Sequence, residues 1–163
     1  MGVTGCGKST VGRALAGALA VPFVDGDDLH PATNIQKMAA GIPLTDDDRW
    51  PWLDDVGRWL ADHPGGGVVA CSALKHAYRE AIRRAAPDAA FVHLVAPPAV
   101  LAVRVDARSA ADAHFMGSSM LDSQFGDLQP LQGDEVGIEI RVDRVDVDGA
   151  ARSAARWLGA ARA

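Results

Sequence analysis

The segment Gly2–Ser9, GVTGCGKS, matches G-x-x-x-x-G-K-[ST] and constrains the fold more than any other stretch of this chain. Glycines at 2, 5 and 7 let the backbone wrap with its N–H groups aimed inward at phosphate oxygens. The alanine-rich stretch Val11–Ala20 reads as a helix whose positive dipole end faces the same oxygens. In such a loop Lys8 reaches the β- and γ-phosphates of a nucleotide, and the Ser9 hydroxyl ligates Mg2+. Loops of this kind hang from the carboxyl end of a buried strand, and here only Met1 stands before the first glycine.

The rest of the chain supplies an alternation of strands and helices. VPFVDGD is a short buried strand ending at Asp25, and a helix starts after Pro31 and closes at Gly41. Trp52, Val56, Trp59 and Leu60 recur at helical spacing until His63-Pro64-Gly65 stops the run. GVVACS is a continuous apolar run, as a central parallel strand requires. Tyr78–Ala86 is helical, AAFVHLVA is a strand broken by Pro97-Pro98, and Ala99–Arg108 is helical again. SAADAHFMGSSML has no clear period and reads as a loop, with a short helix over Ser119–Leu128. VGIEIRVD is the last strand, and Gly149–Ala163 is an amphipathic helix. This order predicts a single α/β domain over 1–163, a parallel sheet flanked by helices in three layers.

Charge and composition exclude other classes. A net charge of −5 over 163 residues argues against a nucleic-acid footprint, which needs a clustered basic surface. Cys6 and Cys71 are too few for a disulfide framework and read as reduced thiols. The longest apolar stretch, around Ala14–Val24, is broken by Gly17 and Pro22, and no secretory pattern opens the chain. The expectation is a cytoplasmic protein with no membrane partner. Among the 16 basic residues only Lys8, Lys37 and Lys75 are lysines, so those positions are candidates for a compact ammonium.

Several charged residues fall where ligands bind, at the carboxyl ends of parallel strands. Asp25 and Asp27 can hold metal-bound water and take a proton from a substrate hydroxyl. His30, Lys37 and Arg49 add donors on the same side, as a polyhydroxylated carboxylate requires. In TDDDR, Thr45 or Asp46 reads as the cap of the following helix, while Trp50 and Trp52 read as core or pocket wall. Ser72 and Lys75 follow the second strand, and Arg79 lies one helical turn beyond Lys75 on the same face. Arg104 and Arg108 are also four apart and precede the irregular segment with His114, the placement expected of a lid over phosphates.

GVTGCGKST, DGDDLHPATNIQKMAAGIPLTDDDRWPWL, CSALKHAYR and HFM…LDSQF together resemble the bacterial-type gluconokinase family. These are small P-loop kinases related in fold to nucleoside monophosphate kinases and shikimate kinase. The resemblance runs from Gly2 to Gln129, and all three lysines lie inside its motifs. It implies transfer of the ATP γ-phosphoryl group to the 6-hydroxyl of D-gluconate in a homodimeric enzyme. Carried over, Gly2, Val3, Thr4, Gly5, Cys6, Gly7, Lys8, Ser9 and Thr10 bind ATP. Ser9 and, through water, Asp25 hold Mg2+, and Asp27 is the candidate base. Asp25, Asp27, His30, Lys37, Arg49, Ser72, Lys75, Arg79 and His114 face gluconate. Lys8, Arg104 and Arg108 serve the transfer itself, with a lid over 104–120. The long HPATNIQKM segment fits this family rather than shikimate kinase, the nearest alternative.

The chain departs from the pattern twice. SAADA separates Arg108 from His114 and lengthens the lid. Members of the family also carry an apolar run before the first glycine, the central strand of the sheet, and here it is missing. Without it, unsatisfied strand groups cost about 1–3 kcal/mol each, against a domain stability of about 5–15 kcal/mol. The sequence reading therefore expects Met1 to be an internal methionine and a chain without that strand to be destabilised, with a nucleotide-binding protein without catalysis as the alternative to a gluconokinase.

Overall fold

The computed structural model describes residues 1–111 and 118–161. Four short strands run parallel: β1 (Phe23–Asp25), β2 (Val68–Ala70), β3 (Phe91–Val95) and β4 (Gly137–Arg141). They pair in two halves, β1 with β2 (Phe23 opposite Val68) and β3 with β4 (Phe91 opposite Gly137). The backbone of Met1 and Gly2 lies between the halves. Gly2 N–H donates to Ser72 O at 3.2 Å, just past β2. On the other side the Met1 amino group donates to Val92 O at 2.6 Å, and Leu94 N–H donates to Met1 O at 2.9 Å. The neighbours of the expected central strand thus keep part of their pairing through two residues, and the phosphate loop leaves from the middle of the array.

Seven helices among the described residues cover the strands: α1 (Lys8–Leu19), α2 (Ala32–Ala39), α3 (Asp46–Ala61), α4 (His76–Ala85), α5 (Pro98–Ala111), α6 (Ser118–Asp127) and α7 (Val147–Ala161). One apolar cluster joins Val11 and Leu15 of α1 to Leu94, Leu101, Ile140 and Ala154. A second, built on α3 and α4, joins Trp52, Leu53, Val56, Tyr78 and Ile82 to Phe91. Side chains alternate along β3, so Val92 and Leu94 enter the first cluster and Phe91 the second. This is the three-layer arrangement expected from the sequence. No helix among the described residues is long and apolar enough to cross a membrane.

The start of α3 shows local chemistry setting an element boundary. Thr45 Oγ1 accepts from Asp48 N–H at 3.3 Å, while Asp48 Oδ2 accepts from Thr45 N–H at 2.9 Å. This capping box satisfies two donors that a helix end leaves orphaned. Pro51 is accommodated within the early part of the same helix.

His93 is a polar residue in the wrong solvent. It sits on β3 at 2% exposure, and neither ring nitrogen has a hydrogen-bond partner among the described residues. The carboxylate of Glu139, opposite it on β4, stands 3.7 Å from Nδ1. Burial, reinforced by the Met1 ammonium and Arg79, lowers the pKa of the ring from 6.5 to about 4. The folded protein therefore keeps His93 neutral while the unfolded chain takes up a proton below pH 6.5. Its contribution to stability is complete above pH 6.5 and declines as the pH falls toward 4, a swing of about 3 kcal/mol. Denaturant unfolding at a series of pH values should show this loss, and His93→Leu, close in volume, should flatten it. An unchanged slope in the variant would assign the loss to other groups.

Candidate active site

The phosphate loop divides its labour between side chains and backbone. Val3 and Cys6 are buried in the first apolar cluster, which fixes the loop from below. Gly5 and Gly7 adopt φ of 77° and 88°, the left-handed region that favours glycine. Gly7 is the N-cap of α1 and offers no side-chain cap, so the first N–H groups of that helix remain for an anion. Lys8 Nζ donates to Val3 O at 3.1 Å, folded over its own loop. Thr4 N–H donates to Gln124 Oε1 at 2.6 Å. A cleft of about 320 Å³ opens beside the loop, walled by Gly7, Thr10, Arg104, Val142, Val145 and Val147. Its size and apolar wall suit a nucleobase-sized ligand. Arg104 donates to Val142 O at 2.8 Å and so forms part of that wall.

The acidic pair follows β1. The Ser9 hydroxyl donates to Asp25 Oδ2 at 2.5 Å, linking the phosphate loop to the strand end. A single 3-10 turn, Gly26–Leu29, starts with Asp25 Oδ1 accepting from Asp27 N–H at 3.3 Å. Desolvation in the mouth of the site raises the pKa of Asp27, and the neighbouring Asp25 carboxylate raises it further. Trp52 Nε1 donates to Gly26 O at 2.7 Å, so this buried tryptophan holds the turn in place. His30 stacks on Trp52 with centroids 4.2 Å apart. Burial lowers its pKa against the pull of Asp27. His30 is thus a buried support under the acidic turn, where the sequence reading expected a donor to substrate.

The third group is cationic. Lys75 Nζ lies 3.1 and 3.2 Å from the Asp46 oxygens, Arg49 Nη1 lies 3.3 Å away, and the Tyr78 hydroxyl donates to the same carboxylate at 2.5 Å. Asp127 approaches Lys75 at 3.6 Å. Hydrogen bonds from Tyr78 and then Lys75 hold the pKa of Asp46 below the usual carboxylate range. Lys37 stands apart from this trio, paired with Asp48 at 2.6 Å. Tyr78 and Asp46 were not singled out for the site by sequence, although Tyr78 lies three residues after Lys75 on one helical face. Ser72 contributes its carbonyl, which accepts from Gly2 N–H.

Arg79 is turned away from the site. It was expected to face substrate, but its side chain is fully buried. Nε and Nη2 donate to the two Glu135 oxygens at 2.5 and 2.8 Å. The remaining donors reach the carbonyls of Ala73, Leu74, Gln129 and Pro130 at 3.1–3.2 Å. No donor is left for a ligand, so Arg79 acts beneath the loop that carries Lys75. His76, Asp134 and Glu135 bring metal-ligating atoms within 4.8 Å of one another, but Arg79 already holds both Glu135 oxygens. His114 lies outside the described residues, as does the side chain of Arg108.

Comparison with known proteins identifies the family. A shikimate kinase family model matches residues 4–124. The chain is 42% identical over 146 residues to the thermosensitive gluconokinase of Escherichia coli (strain K12), covering 88% of this chain and 76% of that protein. It is 43% identical over 143 residues to the gluconokinase of Gluconobacter oxydans (strain 621H), covering 86% and 79%. A crystal structure of a gluconokinase from Sinorhizobium meliloti 1021 superposes with a TM-score of 0.84 at 45% identity, covering 98% of this chain and 89% of that one.

The geometry of Arg79 separates stability from binding. Arg79→Met leaves Glu135 charged and unpaired in the interior, and such a loss costs about 3–5 kcal/mol. Chemical denaturation should show that destabilisation. Lys75→Met, which removes an ion pair open to solvent, should shift the unfolding midpoint far less. Equal stability of the two variants would return Arg79 to the binding set.

Proposed function

The chain belongs to the gluconokinase family, and on that basis we propose that it transfers the γ-phosphoryl group of ATP to the 6-hydroxyl of D-gluconate, giving 6-phosphogluconate and ADP. The observation that carries the assignment of the acceptor side is the convergence of Arg49, Lys75 and Tyr78 on one carboxylate, Asp46. A sugar-acid carboxylate meets the same two cations and hydroxyl. Charge-assisted hydrogen bonds of this kind are the strong ones.

In this reading the phosphate loop and the first N–H groups of α1 hold the nucleotide phosphates, with Lys8 turning from Val3 O to the γ-phosphate. The base lies in the cleft beside Val142, Val145 and Val147. Asp27 accepts the proton of the 6-hydroxyl as its oxygen bonds to phosphorus and the bond to ADP breaks. The raised pKa of Asp27 suits that role, because it makes the carboxylate a better proton acceptor. The Ser9 hydroxyl and the Asp25 carboxylate, in contact at 2.5 Å, are an oxygen donor set that fits Mg2+, Asp25 through water. When bound, the ion supplies charge neutralisation at the phosphates. Otherwise the protein's contribution is position and electrostatics, since phosphoryl transfer asks for little covalent chemistry.

The test is a coupled assay for ADP release with Mg2+-ATP and a panel of acids that includes gluconate, other sugar acids and shikimate. Turnover with gluconate is expected. Turnover with shikimate instead would follow the family model rather than the relatives and would overturn the reading. Asp27→Asn should lower kcat by about 10²–10⁴-fold with the fold intact. In the unaltered enzyme kcat/KM should fall with decreasing pH as Asp27 takes up a proton. That limb should lie above the ordinary aspartate value of about 3.9.

A further inference from the structure

The motif LDSQF contributes nothing to the chemistry above, yet its glutamine touches the phosphate loop directly. Gln124 Oε1 accepts from Thr4 N–H at 2.6 Å, a contact between residues 120 apart in sequence. The partner is a backbone donor, so the amide oxygen rather than the nitrogen must face it. Thr4 sits between buried Val3 and half-buried Gly5.

The helix behind this contact is anchored. Leu121 is 3% exposed, and Phe125 and Leu128 pack against the same apolar cluster that holds Val3 and Cys6. The same segment reaches the acceptor side as it leaves α6. Asp127 stands 3.6 Å from Lys75 Nζ. Gln129 N–H donates to Leu74 O at 2.9 Å, and Gln129 Oε1 accepts from His76 N–H at 2.7 Å. Residues 124–129 therefore form a strap with one end on the phosphate loop and the other on the residues flanking Lys75.

We infer that Gln124 is a positioning residue for phosphoryl transfer: its Oε1 holds the Thr4 amide, and through the strap it fixes the phosphate loop relative to the Lys75 segment. The inference rests on the kinase reading above and extends it. The two segments are 60 and more residues apart in the chain and carry different substrates. In-line transfer requires reacting atoms about 3–3.5 Å apart, and a 1 Å misplacement can cost about 10²-fold. A contact that sets the spacing acts on kcat more than on the binding of either substrate alone.

Two variants and two readouts test this. Gln124→Leu keeps the size and helix preference of the residue and removes the acceptor, whereas Gln124→Glu keeps an acceptor oxygen. Hydrogen exchange of the Thr4 amide, read by NMR in the ligand-free protein, should accelerate roughly tenfold or more in the Leu variant, as expected for the loss of one hydrogen bond. It should remain slow in the Glu variant. In the assay, the Leu variant should lose roughly ten- to a hundredfold in kcat, with KM for gluconate nearly unchanged. The Glu variant should retain a larger share of kcat at saturating ATP. Wild-type kcat in a folded Leu variant, unchanged Thr4 exchange in that variant, or equal losses in both variants would each overturn the inference. Should the Leu variant not fold, the Glu variant decides: a protected Thr4 amide supports the assignment and an exposed one overturns it. If the unaltered protein does not use gluconate, the substrate reading fails while Thr4 exchange still decides the role of Gln124.

Discussion

The active site depends on the parallel direction of every strand. In a parallel array all carboxyl ends lie on one edge, and several of them contribute different parts of the site. β1 ends at Asp25, β2 leads into Ser72 and Lys75, the Met1–Gly2 backbone leads into the phosphate loop, and β4 leads into the cleft wall at Val142–Val147. The register matters as much as the direction. Asp25 stands opposite Ala70, and a slip of one residue would send its side chain to the other face of the sheet. Site and sheet are one problem, and the apolar residues of β1 and β2 solve it.

The polar groups of the site are partnered within the protein. Lys8 rests on a carbonyl, Ser9 on Asp25, and Lys75, Arg49 and Tyr78 on Asp46. The Asp46 side chain is 46% exposed and that of Lys75 27%, so their pairing lies in the range of about 0–1 kcal/mol. A phosphate or carboxylate can displace such contacts at small cost. The Arg79–Glu135 pair, at 0% and 2% exposure, belongs to the other regime, in which removing one partner costs about 3–5 kcal/mol. Exposure separates cations that can exchange partners from cations that cannot.

That distinction also marks the limit of what was legible from sequence. Glycine spacing, Lys8 and Ser9 specified the phosphate loop because its conformation is local, and the strand ends placed Asp25, Asp27 and Lys75 through topology alone. Arg79 was misread because i, i+4 spacing reports a shared helical face but says nothing of depth. Its partner Glu135 lies 56 residues away. His30 is grouped with Arg49 by its side of the sheet, whereas stacking on Trp52 gives it a supporting role, and Lys37 pairs with Asp48 apart from the Asp46 cluster. The sequence offers Thr45 or Asp46 as the helix cap, and Thr45 fills that role. Freed from capping, Asp46 becomes the carboxylate on which Lys75, Arg49 and Tyr78 converge.

A buried arginine calls for a physical reason, because well-packed apolar residues often serve stability as well as an ion pair does. The reason here is backbone accounting. Residues 73–74 and 129–130 belong to irregular segments that meet beneath the Lys75 loop, and their carbonyls face away from any strand or helix partner. An apolar side chain at position 79 would leave the carbonyls of Ala73, Gln129 and Pro130 without this donor, at about 1–3 kcal/mol each, while Leu74 O would keep only Gln129 N–H. One guanidinium, its five N–H groups shared among six acceptors, reaches all of them and a carboxylate as well. The two segments have to meet there because one carries Lys75 and the other leaves the helix that holds Thr4. Arg79 touches no ligand, yet a site assembled from separate strand ends needs such a group where its connecting segments cross.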